Sequence, residues 1–139
     1  MTVQMVLLPV FVQVGLVFAL LFMVAGVRTT SLRSREITFK DIALGQNWPA
    51  RSMQVGNCFN NQFQLPVLFY ALIALALPLR QTDLIIVVLS WVFVVTRLIH
   101  AGIFITSNNV QQRSLAWFAG VLVLLAMWVY FALRLLLVI

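Results

Sequence analysis

The sequence predicts an all-α membrane protein, folded as a four-transmembrane-helix bundle. Of its 139 residues, 63% are hydrophobic and only 9% are charged, and the mean hydropathy is +1.07. This composition excludes an ordinary soluble domain. Four apolar stretches each reach the length of about 20 residues that a helix needs to cross a bilayer. These predicted spans cover residues 5–27, 57–79, 84–106 and 114–138 within a single domain of residues 1–139.

The first apolar stretch is predicted to be a retained helix. No basic residue precedes it, and its uncharged run is longer than the apolar region of about 7–15 residues in a secretory signal peptide. The second stretch is predicted to lie in one long helix that begins near Pro49 and ends at Pro78. Asn47 is placed to cap the start of that helix.

The connection between the second and third predicted helices is very short, so these helices should form an antiparallel hairpin. Thr82 or Asp83 can cap the third helix. Asn109 is followed three residues later by Gln112, which is typical of a capping box at the start of the fourth helix. This arrangement brings the polar ends of helices two and three to the same half of the bundle.

The basic residues predict the orientation in the membrane. Seven of the nine lie in the first connection or near the third, and only Arg80 and Arg134 lie towards the opposite side. The positive-inside rule therefore places connections one and three in the cytoplasm and both termini outside it. The net charge of +6 is thus a topology signal with some attraction to membrane lipids, and no nucleic acid partner is expected.

Two stripes of polar side chains are candidates for a functional site. Arg97 and His100 are three residues apart inside an apolar segment, and Phe104 continues the same helix face. Asn57, Asn61 and Gln64 form a second stripe, spaced by four and three residues. Ionisable groups inside a membrane usually face a bundle interior or a watery cavity and mark function.

A structural interpretation of both stripes stays open beside the functional one. Amides in membrane helices often form interhelical hydrogen bonds, as is also expected for Gln13. Arg97 can extend to the head groups, and His100 can donate to a carbonyl. No metal site is predicted, because one His, one Cys and three acidic residues give no ligand pair at helical spacing. Cys58 is expected to be a small buried residue.

Three segments together resemble the MAPEG family, the membrane-associated proteins of eicosanoid and glutathione metabolism. They are residues 61–70, which include Asn61, Gln64 and Pro66, then residues 97–100, and residues 113–120, which begin with Arg113. The similarity covers nearly the whole chain. The spacing of Arg97, His100 and Arg113 is most similar to the microsomal glutathione transferase-like and bacterial branch.

The resemblance implies a homotrimer that binds glutathione as a co-substrate between subunits, near the cytoplasmic side, and takes a lipophilic small-molecule substrate from the bilayer. It implies that Arg113 is catalytic through stabilisation of the glutathione thiolate. It also implies a bacterial inner membrane location. The positions that it assigns to glutathione binding are Asn61, Gln64, Arg97, His100 and Phe104.

The chain departs from the family pattern at three of its polar positions. Asn57, Gln64 and Phe104 stand where the family commonly has Arg, Glu and Tyr. The fold expectation is unaffected, but function belongs to the site and not to the scaffold. The sequence therefore predicts a glutathione-dependent transferase or peroxidase, with a non-catalytic accessory or lipid-binding membrane protein as the alternative.

Overall fold

The computed structural model describes residues 2–137. Within this range every regular element is a helix. The five helices are, in chain order, α1 (Val3–Arg33), α2 (Ala50–Asn61), α3 (Leu65–Ala76), α4 (Leu84–Ile105) and α5 (Val110–Leu137).

Three helices, α1, α4 and α5, are long and apolar enough to cross a membrane. They contain 31, 22 and 28 residues. At about 1.5 Å per residue, each exceeds the hydrocarbon thickness of about 30 Å. Large apolar side chains such as Phe22 and Leu122 are 71% and 63% exposed, as expected of a surface that faces lipid. The all-α membrane fold is therefore confirmed, while residue 138 of the predicted fourth span lies outside the described residues.

The prediction of one continuous second helix is wrong. The chain forms α2 and α3, each of 12 residues, separated by a turn at residues 62–64. Pro66 explains the break, because it has no N–H to donate to the Gln62 carbonyl and its ring would collide with that carbonyl in a continuous helix. The turn instead uses tighter bonds, from the Gln62 N–H to the Phe59 carbonyl (3.0 Å) and from the Phe63 N–H to the Asn60 carbonyl (3.1 Å).

α2 and α3 follow one another along α1, in the direction opposite to it. The hydroxyls of Ser31 and Ser52 lie 3.1 Å apart at one end of this contact. Further along, the Gln13 side-chain amide donates to the Gln62 side-chain oxygen over 3.1 Å. The interhelical role predicted for Gln13 is thereby confirmed, and its partner is in the break itself.

The helix caps agree only in part with the sequence prediction. Asp83 caps α4 by accepting from the Ile86 N–H over 3.1 Å, and Asn109 accepts from the Gln112 N–H over 3.1 Å at the start of α5. Asn47 does not cap α2, because its side chain donates to the Asp41 carbonyl within the first connection. The residue before α2 is Pro49, which makes no side-chain capping bond.

Asp83 also joins the start of α4 to the end of α5. Its carboxylate accepts hydrogen bonds from the Tyr130 hydroxyl and from the Arg134 guanidinium, with which it forms an ion pair. Partial burial raises the pKa of Asp83, but the bonds from Tyr130 and the Ile86 N–H, together with the charge of Arg134, bring the pKa below its ordinary value of 3.8.

Aromatic and aliphatic packing holds the middle of the bundle together. Phe69 of α3 and Phe93 of α4 are fully buried, with ring centroids 5.0 Å apart. Gly120 lets α5 approach α4 closely, because a Cβ at this position would lie 3.1 Å from the Thr96 hydroxyl. This close contact lies in the first half of α5, next to the candidate site.

Candidate functional site

A cleft of about 340 Å³ lies between the α2–α3 break, the second half of α4 and the first half of α5. It contains most of the side chains singled out by the sequence. Of the six predicted site residues, Asn61, Gln64, His100, Phe104 and Arg113 line it. The cleft is also lined by Ser114, Trp117 and Phe118.

The α4 stripe is placed by simple helical periodicity. Arg97, His100 and Phe104 are all buried on the face of α4 that packs against the bundle. His100 and Phe104 meet edge to face, with ring centroids 5.6 Å apart. Arg97 is 0% exposed and lies behind the cleft, so its only access to a ligand is through its neighbours or through a small rearrangement.

Arg97 begins a short series of hydrogen bonds that ends in the cleft. One of its terminal nitrogens donates to the side-chain oxygen of Asn61 and is also 3.5 Å from the Asn61 carbonyl. The Asn61 side-chain nitrogen then donates to the Gln64 side-chain oxygen over 3.1 Å. Although the helix breaks after Asn61, the turn therefore keeps the two predicted amides in contact.

The positive charge of Arg97 is only partly compensated. Within residues 2–137, its Nε and one terminal nitrogen have no hydrogen-bond partner, and neither has Nδ1 of His100. None of the three acidic side chains of the sequence lines the cleft. Because a buried charge is expensive unless it is paired or fully hydrogen-bonded, this region favours the approach of an anion.

Arg113 supplies a second cation at the cleft. Its guanidinium stacks over the Phe104 ring, 4.2 Å from the centroid, and donates to the Asn108 side chain. Asn108 has a positive φ of 51°, a conformation that Asn tolerates better than most residues. The α4–α5 connection thus holds Arg113 at the cleft while leaving it half-buried, with donors free for a ligand.

The sequence analysis missed three residues of the cleft. Ser114 follows Arg113, while Trp117 and Phe118 come one turn later and pack edge to face, with centroids 5.5 Å apart. The helical spacing from Arg113 to Trp117 was the available signal. Asn57 was included in the amide stripe, but it does not line this cleft and its side chain is exposed.

No metal-binding group appears in the part of the chain that the structure describes, since residues 2–137 contain no cluster of three or more His, Cys, Asp or Glu side chains. Cys58 is fully buried, 4.0 Å from the Ala101 carbonyl, as its sequence context predicts. The polar side chains that line the cleft belong to one arginine, two amides, one histidine and one serine, and they lie beside three aromatic rings.

The chain is similar to a known family of proteins. A family model described as the MAPEG family matches residues 6–133, which include every residue of the cleft. No curated protein and no solved structure gives a significant match to this chain.

Proposed function

Because the chain belongs to the MAPEG family, we propose that it is a glutathione-dependent transferase or peroxidase that acts on lipophilic substrates in the membrane. One observation carries the proposal: a single cleft gathers two arginine side chains, directly or through Asn61, beside aromatic side chains in an apolar bundle. A site for a charged thiol and a lipid-soluble partner needs this combination of polar and apolar groups.

The residues of the cleft fit glutathione as a ligand. Its carboxylates suit guanidinium groups, which bind such groups with two parallel hydrogen bonds. Arg113 has donors at the cleft, and behind the cleft Arg97 has two buried nitrogens, Nε and one terminal nitrogen, without a partner in residues 2–137. Asn61 and Gln64 add amide groups, and Ser114 adds a hydroxyl. These groups would hold the tripeptide backbone and its carboxylates.

We assign to Arg113 the stabilisation of the thiolate. A cation beside a thiol lowers the thiol pKa, and the thiolate is the reactive form. Glutathione would supply the thiol: in a transfer the sulfur bonds to carbon as the leaving group departs, and in a peroxide reduction two thiols become a disulfide as the hydroperoxide becomes alcohol and water. Phe104 places its ring against the Arg113 guanidinium but has no hydroxyl to donate to the thiolate, so we assign stabilisation of the thiolate to Arg113 alone.

The lipophilic substrate would reach the cleft from the bilayer. Trp117 and Phe118 form its apolar side, and Phe118 is 59% exposed on the surface of α5. A membrane-soluble molecule can therefore enter laterally, between α5 and the lipid, without crossing the polar end of the cleft.

We further propose that the protein is a homotrimer in a bacterial inner membrane, with the first and third connections in the cytoplasm. The distribution of basic residues supports this orientation. The resemblance to the family supports the trimer. In this arrangement the cleft opens in the cytoplasmic half of the bundle, where soluble glutathione is available.

Calorimetry on the purified protein in detergent tests the proposal, together with a conjugation assay on a hydrophobic electrophile. We expect weak glutathione binding and slow turnover, and we expect Arg113→Ala to reduce affinity about tenfold or more, because it removes hydrogen bonds to a charged group. Arg33→Ala is the matched control, since Arg33 is exposed at the end of α1, outside the cleft. Folded protein that shows neither heat of binding nor a thermal shift with millimolar glutathione would refute the proposed glutathione-dependent activity.

A non-catalytic lipid-binding role is the alternative, and a second groove favours it. The groove has a volume of about 450 Å³, lies between α3 and α5, and is almost wholly apolar. Trp128 lines it and donates to the Leu68 carbonyl over 3.2 Å, so that its ring is fixed. Co-purified lipid in this groove, combined with no glutathione binding, would support the alternative over the enzyme.

A further inference from the structure

The hydrogen bonds around Arg97 have a fixed direction. A guanidinium group has five N–H donors and no acceptor. The side-chain atom of Asn61 that contacts Arg97 must therefore be the oxygen. This contact assigns the amide orientation, which is otherwise chosen by the hydrogen-bond network as a whole. The buried arginine thus settles the orientation of Asn61.

The orientation of the Asn61 amide also determines the orientation of the Gln64 amide. With its oxygen held by Arg97, Asn61 presents its nitrogen to Gln64, and Gln64 must accept with its own oxygen. Each amide oxygen then already accepts at least one hydrogen bond, while within residues 2–137 the Gln64 NH₂ donates none. Gln64 therefore offers a ligand two N–H donors, and the only acceptor left on its side chain is the second, uncharged lone pair of its oxygen.

The remaining polar groups of the cleft do not offset this excess of hydrogen-bond donors. Arg113 contributes donors only. His100 Nδ1 and the Ser114 hydroxyl are possible acceptors, but neither can carry a negative charge here, and each lies close to an arginine: His100 is one helical turn from Arg97, and Ser114 is next to Arg113. A ligand ammonium in this cleft would therefore meet two positive charges and no carboxylate from the lining side chains.

We propose that the cleft selects against a ligand ammonium group, so that it binds an anionic thiol whose amino group is absent or acylated more tightly than it binds glutathione. The inference rests on the proposed thiol chemistry of the same site. It narrows the co-substrate class: acceptor groups such as carboxylates and amide carbonyls face Gln64, and the ligand supplies the negative charge that Arg97 and Arg113 lack.

The sharpest test compares two ligands that differ in one group. Glutathione carries a free ammonium on its γ-glutamyl residue, and glutaryl-cysteinyl-glycine is the same tripeptide with hydrogen in its place. Calorimetry on the full chain in detergent should show the glutaryl compound binding about tenfold or more tightly than glutathione. The reason is that no carboxylate in the lining accepts a hydrogen bond from the ammonium, which must still lose its water. Equal binding, or tighter binding of glutathione, would overturn the inference and leave the proposed function standing.

Gln64→Glu should reverse the preference. A glutamate at this position accepts from Asn61 with one oxygen and offers the other, with its charge, to an ammonium. Gln4→Glu is the matched control, because it adds the same charge at an exposed position near the start of α1. If Gln64→Glu leaves the ratio of the two affinities as in the wild type, the orientation assigned to the Gln64 amide, with its NH₂ towards the ligand, is wrong.

A third ligand separates failure of the inference from failure of the proposed function. Glutarate has two carboxylates but neither thiol nor amine. If neither thiol binds while glutarate binds the wild type and not Arg113→Ala, the thiol chemistry fails and the selectivity for anions stands. If none of the three compounds gives heat with folded protein, the inference falls together with the proposed function.

Discussion

Arg97 is the residue whose environment is most unusual. It is a fully buried cation in a membrane bundle, and within residues 2–137 only Asn61 gives it a hydrogen-bond acceptor. The nearest acidic residue in the sequence is Asp83, about 21 Å away along α4 at 1.5 Å per residue. A neutral amide thus does the work that a carboxylate usually does for a buried arginine.

Replacing Asn61 by leucine tests this interaction. Asn61→Leu removes the acceptor and leaves the Arg97 charge with less compensation, so we expect a loss of about 1.5–3 kcal/mol, typical of a hydrogen bond to a charged group. Asn61→Asp keeps an acceptor and should not show this loss. Asn60→Leu is the matched control, because Asn60 is exposed. Thermal unfolding in detergent gives the comparison, and equal losses for Asn60→Leu and Asn61→Leu would contradict it.

At the scale of the elements, the break between α2 and α3 is the central feature. It places Gln62 inside the bundle, 1% exposed, where its side chain accepts from Gln13 and donates to the Cys58 carbonyl over 3.1 Å. Both bonds lie within the apolar interior, where an unpaired amide costs several kcal/mol. The break is therefore held by α1 as well as by its own turn.

A double-mutant cycle measures this support. Gln13→Leu and Gln62→Leu each leave the partner amide buried without its bond, so each should lower stability by about 1–3 kcal/mol. The double variant removes both amides and should lose clearly less than the sum, because no orphaned group is left from the pair. Strict additivity of the two losses in detergent unfolding would mean that the Gln13–Gln62 bond contributes nothing.

Helix periodicity explains which parts of the structure the sequence could predict. Arg97, His100 and Phe104 share a face because spacing within one helix is a local property. The break was not predicted, because residues 57–79 are apolar and long enough for one span, and a proline in a membrane helix can also produce a kink without ending the helix. The stacking of Arg113 on Phe104 depends on how α5 packs on α4, which no single segment encodes.

At the scale of the whole molecule, charge and apolar surface are segregated. Arg97 and Arg113 lie at one half of the bundle, while the Asp83–Arg134 pair closes the other end. Exposed leucine, valine and phenylalanine side chains cover α1, α4 and α5. A cationic cleft is thus embedded in an apolar surface, which suits the meeting of a soluble anion with a substrate dissolved in lipid.

The central claim is that this cleft binds an anionic thiol beside Arg113. A cryo-electron-microscopy reconstruction of the protein in lipid nanodiscs, with millimolar glutathione or its glutaryl analogue, tests it most directly. We expect three equivalent subunits, with ligand density in each cleft and a carboxylate or sulfur in contact with Arg113. A well-folded particle whose cleft stays free of density with either thiol, or whose ligand lies away from Arg113, would contradict it.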